Sequence, residues 1–203
     1  MAKRQPDSPL ALAVLALLRE RPMHPYEMAA TLKERRKEAS IKLRYGSLYT
    51  VIKSLQDHDF IVARERLRDG RRPERTVFEL TPAGAARLDD WMAELLARPA
   101  KEYPRFEAAL SLMPVLPPER VAELLDARAQ SLGHRIAEVE ADMSSGAKAG
   151  VAELFLIEGA YEAAMLRTEQ RFVTELAARI RRGDIKGLDF WKDFHKGTRP
   201  QRP

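Results

Sequence analysis

Four histidines, His24, His58, His134 and His195, and no cysteine are the whole supply of metal-ligating imidazoles and thiols in these 203 residues. Without cysteine there is no disulfide scaffold, thiolate zinc site, iron–sulfur cluster or thiol nucleophile. The histidines lie on four separate stretches: His24 at a helix start, His58 at a helix end, His134 on a solvent-facing coiled-coil position and His195 near the C-terminus. No Ser-His-Asp set, paired carboxylates or glycine-rich phosphate loop accompanies them, so no enzyme activity, metal or cofactor is expected. Charge is the remaining lead. Residues 1–98 hold 19 basic and 14 acidic side chains and residues 99–203 hold 16 of each, so the whole net charge of +5 lies in the first half. Within it, residues 31–75 carry 13 basic against 7 acidic groups, a local excess that a polyanion would feel. A solvated basic face has the same composition, so the elements that carry these charges must decide.

At 45% apolar and 32% charged residues the chain has enough hydrophobic surface to fold as one large or two small domains. Its longest apolar run, residues 10–18, is about half of what a membrane-spanning helix needs. Arg19-Glu20-Arg21-Pro22 follows where a secretory signal would place small residues, so a cytoplasmic protein without a membrane partner is expected.

Ser8-Pro9 starts a first helix that runs to Glu20, with Leu10, Val14, Leu17 and Leu18 at helical spacing. His24-Pro25 starts a second, in which Tyr26, Met28, Ala29 and Leu32 lead into the charged residues 33–38. Gly46-Ser47 opens a third, with Leu48, Val51, Ile52 and Leu55 at i, i+3, i+4 and i+7. Residues 61–68 and 74–80 alternate and are rich in β-formers, joined by Asp69-Gly70-Arg71-Arg72-Pro73 as an arginine-loaded hairpin tip. Thr81-Pro82 caps a fourth helix with an apolar stripe of Leu88, Trp91, Met92, Leu95 and Leu96. Helix, helix, helix, strand, strand, helix is the order of a winged helix-turn-helix, in which the third helix offers its polar face to a DNA major groove.

Prolines interrupt residues 99–118 around a short helix near Phe106, and Pro117-Pro118 opens a long helix. In it Ala122, Ala129, Ile136 and Met143 recur every seven residues, with Leu125, Leu132 and Val139 three residues after the first three. A break is expected at Ser144-Ser145-Gly146. A second long helix then places Val151, Leu154, Ile157, Tyr161, Met165, Phe172, Leu176 and Ile180 on one face and ends at Gly183. Two such stripes need each other and a second chain, which predicts a homodimer; a self-contained helical hairpin is the competing arrangement. Residues 183–203 are read as a basic, partly disordered tail with Trp191 and Phe194 as anchors.

With the elements in this order, the residues resemble the PadR family of bacterial transcriptional regulators. The resemblance rests on His24-Pro25-Tyr26-Glu27, Gly46-Ser47-Leu48-Tyr49, Gly70-Arg71 and Phe78-Glu79-Leu80-Thr81-Pro82-Ala83-Gly84. It covers about residues 8–90, and the second half is similar only in layout to the family's dimerisation domain. This chain has Pro25 where the family usually has glycine, Thr50 where proline is usual, His58-Asp59 where an acidic-glycine turn is common, and Phe78 where tyrosine is usual. The expected fold is mainly α with a small β-hairpin. It comprises a winged helix-turn-helix DNA-binding domain over 1–98, an antiparallel helical dimerisation domain over 99–182 and the tail.

Turning the third helix by 100° per residue puts Thr50, Lys53 and Asp57 opposite its apolar stripe, with Ser47, Tyr49 and Ser54 on the flanks. Ser47 suits phosphate at the helix start, and Tyr49, Thr50 and Lys53 suit base edges or backbone. Tyr49 equally suits packing beneath the hairpin. Arg71 and Arg72 suit a narrow minor groove or, equally, a merely solvated turn, and Lys42 and Arg44 suit phosphate. Lys33, Arg35, Arg36 and Lys37 read as an exposed face. Dimer contacts are expected from Leu125, Leu132, Ile136, Val139, Tyr161, Met165, Phe172 and Leu176. The resemblance implies an operator-binding repressor, in a family where small aromatic or apolar ligands release the DNA. Trp91, Met92, Tyr103, Phe106, Tyr161, Met165 and Phe172 fit such a pocket, but a plain packed core is the favoured reading; Glu158, which interrupts the apolar face of the last helix, suits a cationic ligand or, as the favoured reading, simply solvent. A winged helix used only for protein contacts is the alternative, and it leaves the basic excess unexplained.

Overall fold

The computed structural model describes residues 6–41, 44–64 and 76–196. It is mainly helical, with eight α-helices and one two-stranded antiparallel sheet among the described residues, and its chain divides into two compact units, 1–101 and 102–203.

In the first unit, α1 (Pro9–Glu20) begins where Ser8 Oγ accepts from the Ala11 N–H at 3.2 Å. Leu10, Ala11, Ala13, Val14, Leu15, Leu17 and Leu18 are all buried, so the helix is apolar on nearly every side. Such a helix is stable only at the centre of a core, and α1 is the post against which α3 (Tyr45–Gln56), α4 (Pro82–Ala97) and the sheet pack. The N-terminus of α2 (Pro25–Glu34) is capped by His24, whose Nδ1 accepts from the Tyr26 N–H at 3.1 Å. The helical run expected to continue through residues 33–38 stops at Glu34. Arg36 turns into the left-handed region at φ 54°, and a 3-10 turn over Lys37–Ala39 follows.

Strands β1 (Ile61–Arg64) and β2 (Val77–Leu80) pair with Ile61 opposite Leu80 and Arg64 opposite Val77. Met23, between α1 and α2, adds a rung that sequence patterning does not show. It exchanges two 3.0 Å backbone hydrogen bonds with Phe78. The hairpin tip, residues 65–75, lies outside the described residues.

The junction of α3, β1 and α4 explains two positions of the sequence motif. Asp59 sits at φ 57°, and the Phe60 N–H reaches back to the Leu55 carbonyl at 3.0 Å, closing α3 with a left-handed cap. Thr81 Oγ1 donates to the Asp59 carbonyl at 2.6 Å and accepts from the Gly84 N–H at 3.0 Å. A Cβ at Gly84 would lie 2.0 Å from the Phe60 carbonyl oxygen, so only glycine lets α4 approach this turn.

In the second unit, α5 (Arg105–Ser111) leads through a 3-10 turn at Met113–Val115 into α6 (Pro118–Lys148) and then α7 (Ile157–Arg182). The break expected at Ser144-Ser145-Gly146 does not occur. Helix α6 runs through it and ends two residues later at Lys148, after which Gly150 takes φ 81° and the Val151 N–H bonds to the Gly146 carbonyl at 3.0 Å. Two serines and a glycine lower helix propensity by only a fraction of a kilocalorie each, up to about 1 for glycine, which packing overrides. The second long helix accordingly starts at Ile157, after a 3-10 turn at Glu153–Phe155. It stops at Gly183, φ 83°, as its position in the sequence suggests.

The two long helices run antiparallel. Arg181 pairs with Asp126, Arg128 with Glu169 at 2.5 Å, Arg135 with Glu162 at 2.9 Å and Arg167 with Glu140. The Arg181 guanidinium holds the Asp126 carboxyl below its ordinary range. Residues 183–196 are not a loose tail. Helix α8 (Leu188–His195) buries Leu188 and Trp191 against Val121, Leu125 and Ile180, and Trp191 Nε1 donates to the Leu116 carbonyl at 2.7 Å. Its basic side chains obscured an amphipathic turn whose two apolar residues find that core. Phe194 remains exposed, and the disorder expected at the end of the chain falls on residues 197–203, outside the described residues. No described helix is long and apolar enough to cross a membrane.

Candidate nucleic-acid interface

Three residues orient α3. Leu48, Ile52 and Leu55 are buried in the core of the first unit, which fixes the rotation of the helix. On the opposite side Ser47, Tyr49, Thr50 and Lys53 are all exposed. Tyr49 leaves 55% of its surface open and is not part of the buried core. Thr50 Oγ1 donates to the Gly46 carbonyl at 3.0 Å, one turn back along the helix. Arg44 precedes the helix in extended conformation and is exposed, no side chain caps the helix, and its first turn holds no acidic residue. The amide end of α3 therefore presents positive potential from its own dipole, with Arg44 beside it. Asp57 caps the far end.

The sequence-assigned surface is thus brought together in part: Arg44, Ser47, Tyr49, Thr50 and Lys53 share one helix and its approach. Lys42, Arg71 and Arg72 lie outside the described residues. Behind the helix, Arg64 Nη1 donates to Glu79 at 3.0 Å across the base of the hairpin.

Charged groups that sequence reading grouped as an exposed basic face have a further role. Arg35 donates twice to Glu20, at 2.5 and 2.7 Å, tying the end of α2 to the end of α1. That contact holds the Glu20 carboxyl below its ordinary range. Arg21 likewise lowers Glu27, at 2.6 Å. Residues fifteen apart leave no periodic signature, so sequence spacing does not reveal the Glu20–Arg35 pair.

The residues expected at a dimer contact fall into two sets. Leu125, Leu132, Ile136 and Val139 are buried along α6 within one chain, and Leu176 is partly buried beside them. Tyr161, Met165 and Phe172 are exposed in line along the outer side of α7, with Ile157 one turn earlier. The inner side of α7 is a different set: Ala163, Val173, Ala177 and Ile180. Of the residues considered for an effector pocket, Trp91 is buried in the first core with the Arg87 guanidinium 4.8 Å from its ring centre. Phe106 packs on the second core under Arg128 at 3.8 Å. Trp91 is thus a core residue and Phe106 is partly buried against a core, as a plain packed core requires, whereas Tyr161, Met165 and Phe172 are exposed and depart from that expectation. Tyr103 and Met92 are exposed, as is Glu158 in the first turn of α7.

This geometry can be set beside known proteins. The model of the transcriptional regulator PadR-like family matches residues 14–90. That stretch, well under half of the chain, is similar to the PadR-like family. The matched stretch runs from within α1 to the middle of α4, and so includes α3 and both strands of the hairpin. Among curated proteins none matches this chain. Among solved structures, Bacillus subtilis PadR in complex with operator DNA is 19% identical, with TM-score 0.60 over 88% of this chain and 99% of that one. The same protein in complex with p-coumaric acid gives 18%, 0.59, 87% and 99%. The protein smu.1604c from Streptococcus mutans gives 16%, 0.57, 85% and 99%. These likenesses are of fold, and they extend the PadR architecture into the second unit.

Proposed function

We propose that this PadR-like protein is a dimeric, sequence-specific DNA-binding repressor that recognises an inverted-repeat operator. The observation that carries the reading is α3: a helix pinned by a buried stripe, open at its amide end, and presenting Ser47, Tyr49, Thr50 and Lys53 outward. That arrangement suits insertion into a major groove, with Arg44 and Ser47 on phosphate and the next turn on base edges. Arg71, Arg72 and Lys42, which come from the sequence reading, add positive charge to the same half of the chain.

The dimer is supported by α7, whose outer side exposes Ile157, Tyr161, Met165 and Phe172 while its inner side is already satisfied within the chain. A two-fold pair places two reading helices about 34 Å apart, so half-sites one helical turn apart are expected. Repression with release by a small aromatic or apolar molecule is the family's pattern, and the complexes of Bacillus subtilis PadR with operator DNA and with p-coumaric acid favour it.

The test is selection of bound fragments from random DNA by the purified protein, combined with sedimentation of the free protein. A palindromic consensus and a dimeric mass are expected. A monomer, or a protein with no preference among duplexes, overturns the reading.

A further inference from the structure

We propose that Thr50 reads one base of each half-site by its exocyclic chemistry, accepting a hydrogen bond from an amino group and so preferring adenine or cytosine over guanine or thymine on the strand it faces. The inference rests on the proposed DNA-binding function and adds a code to one residue of that surface.

A threonine hydroxyl has one proton and two acceptor lone pairs. In α3 the proton is already directed at the Gly46 carbonyl, 3.0 Å away on the same helix. Back-bonding of this kind is common for threonine in helices, because it satisfies the hydroxyl without a tertiary partner. The residue is exposed and lies opposite Leu48, Ile52 and Leu55, so its lone pairs and its methyl group face outward. To an approaching duplex, Thr50 is therefore an acceptor with a methyl beside it.

In the major groove adenine offers N6–H and cytosine offers N4–H, whereas guanine shows N7 and O6 and thymine shows O4 and a methyl. Guanine opposite Thr50 sets lone pair against lone pair in a desolvated contact. Thymine does the same at O4, offset in part by methyl contact. Every base pair carries one amino base, so this preference does not separate A·T from G·C. It fixes which strand carries the amino group, and so the polarity of that pair relative to the helix. Tyr49 and Lys53, a hydroxyl free to donate and an ammonium, lack this acceptor-only character.

The experiment is fragment selection with wild type, Thr50→Val and Thr50→Ser, each checked for unchanged thermal melting and dimer mass. Valine keeps the shape and removes the oxygen; serine keeps the back-bonded hydroxyl. Wild type and Thr50→Ser are expected to favour A or C over G or T at one half-site position by about fivefold to tenfold, the worth of one net hydrogen bond. Thr50→Val is expected to lose that preference and shift toward T, with the rest of the consensus unchanged. An operator whose every position is the same for wild type and Thr50→Val overturns this inference and leaves the DNA-binding reading standing. If wild type selects no operator at all, both fall.

Discussion

Helices α3 and α7 are both amphipathic and both rest on a core, yet they present opposite kinds of surface. Helix α3 spends its large apolar residues inward, on Leu48, Ile52 and Leu55, and turns polar groups out. Helix α7 spends mostly small ones inward, on Ala163 and Ala177 with Val173 and, near its end, Ile180, and leaves Tyr161, Met165 and Phe172 outside. Small residues allow α6 and α7 to approach closely, and the Arg–carboxylate pairs along the seam set their register. The large residues on the outer side are then surplus to the fold of one chain. An exposed polar face is ordinary for a soluble helix, whereas an exposed line of large apolar residues calls for a covering surface.

The sharpest way to break this contrast uses two neighbours in sequence. Val173 is fully buried and Phe172 half exposed. Val173→Asp is expected to cost about 4 kcal/mol or more, as an unpaired charge in the seam, and to abolish cooperative unfolding of the helical unit. Phe172→Asp is expected to leave helicity intact while sedimentation shows a monomer. If Phe172→Asp unfolds the chain as Val173→Asp does, the outer side of α7 belongs to the fold and not to an interface.

A second pair contrasts the units through glycine. At Gly84 an added Cβ meets a backbone carbonyl at 2.0 Å, whereas at Gly159 it meets the Met143 side chain at 2.9 Å. A backbone oxygen in a hydrogen-bonded turn moves only if the turn moves, but a methionine repacks easily. Gly84→Ala is therefore expected to destabilise by about 3 kcal/mol, read by urea unfolding. Gly159→Ala should change stability by less than about 1 kcal/mol, since alanine's helix propensity offsets the repacking. Equal effects at the two positions would refute the close approach of α4 to the turn after α3.

On the α3 surface the expected effects are smaller. Lys53→Ala should weaken the selected operator by about 1–3 kcal/mol and relax discrimination at one base position if the ammonium reaches a base edge. If it reaches phosphate, binding falls uniformly across sequences and the salt dependence loses about one unit of slope. Gel-shift titrations at several salt concentrations separate the two.

These tests also mark what the sequence could and could not show. Buried stripes and proline or threonine starts are local, so the order of elements and the exposed side of α3 were legible from spacing alone. The break at Ser144-Ser145-Gly146 was misplaced because propensity is weak against a packed seam, and the left-handed glycine that ends α6 comes at Gly150. In the sequence the apolar residues of α7 form one stripe, because Leu176 and Ile180 continue the spacing begun at Ile157. Alanines 163 and 177, which make the inner face, carry little hydrophobic weight in such a count. The rung from Met23 to Phe78 and the Glu20–Arg35 pair join residues distant in sequence, and no single-chain periodicity encodes them.

The smallest expected effect concerns Asp59, where the family resemblance leads one to expect glycine. The left-handed backbone at φ 57° costs a side chain more than it costs glycine, though aspartate tolerates it better than most residues. The conformation is held by the Phe60 N–H on the Leu55 carbonyl and by Thr81 on the Asp59 carbonyl, and neither bond uses the aspartate side chain. Asp59→Gly should therefore keep both bonds and relieve the strain. Part of the gain is lost because glycine gives the unfolded chain more freedom. A net stabilisation of about 0.5 kcal/mol is expected, seen as a slightly higher urea midpoint at unchanged slope. A destabilisation would mean that the Asp59 carboxylate itself supports the turn.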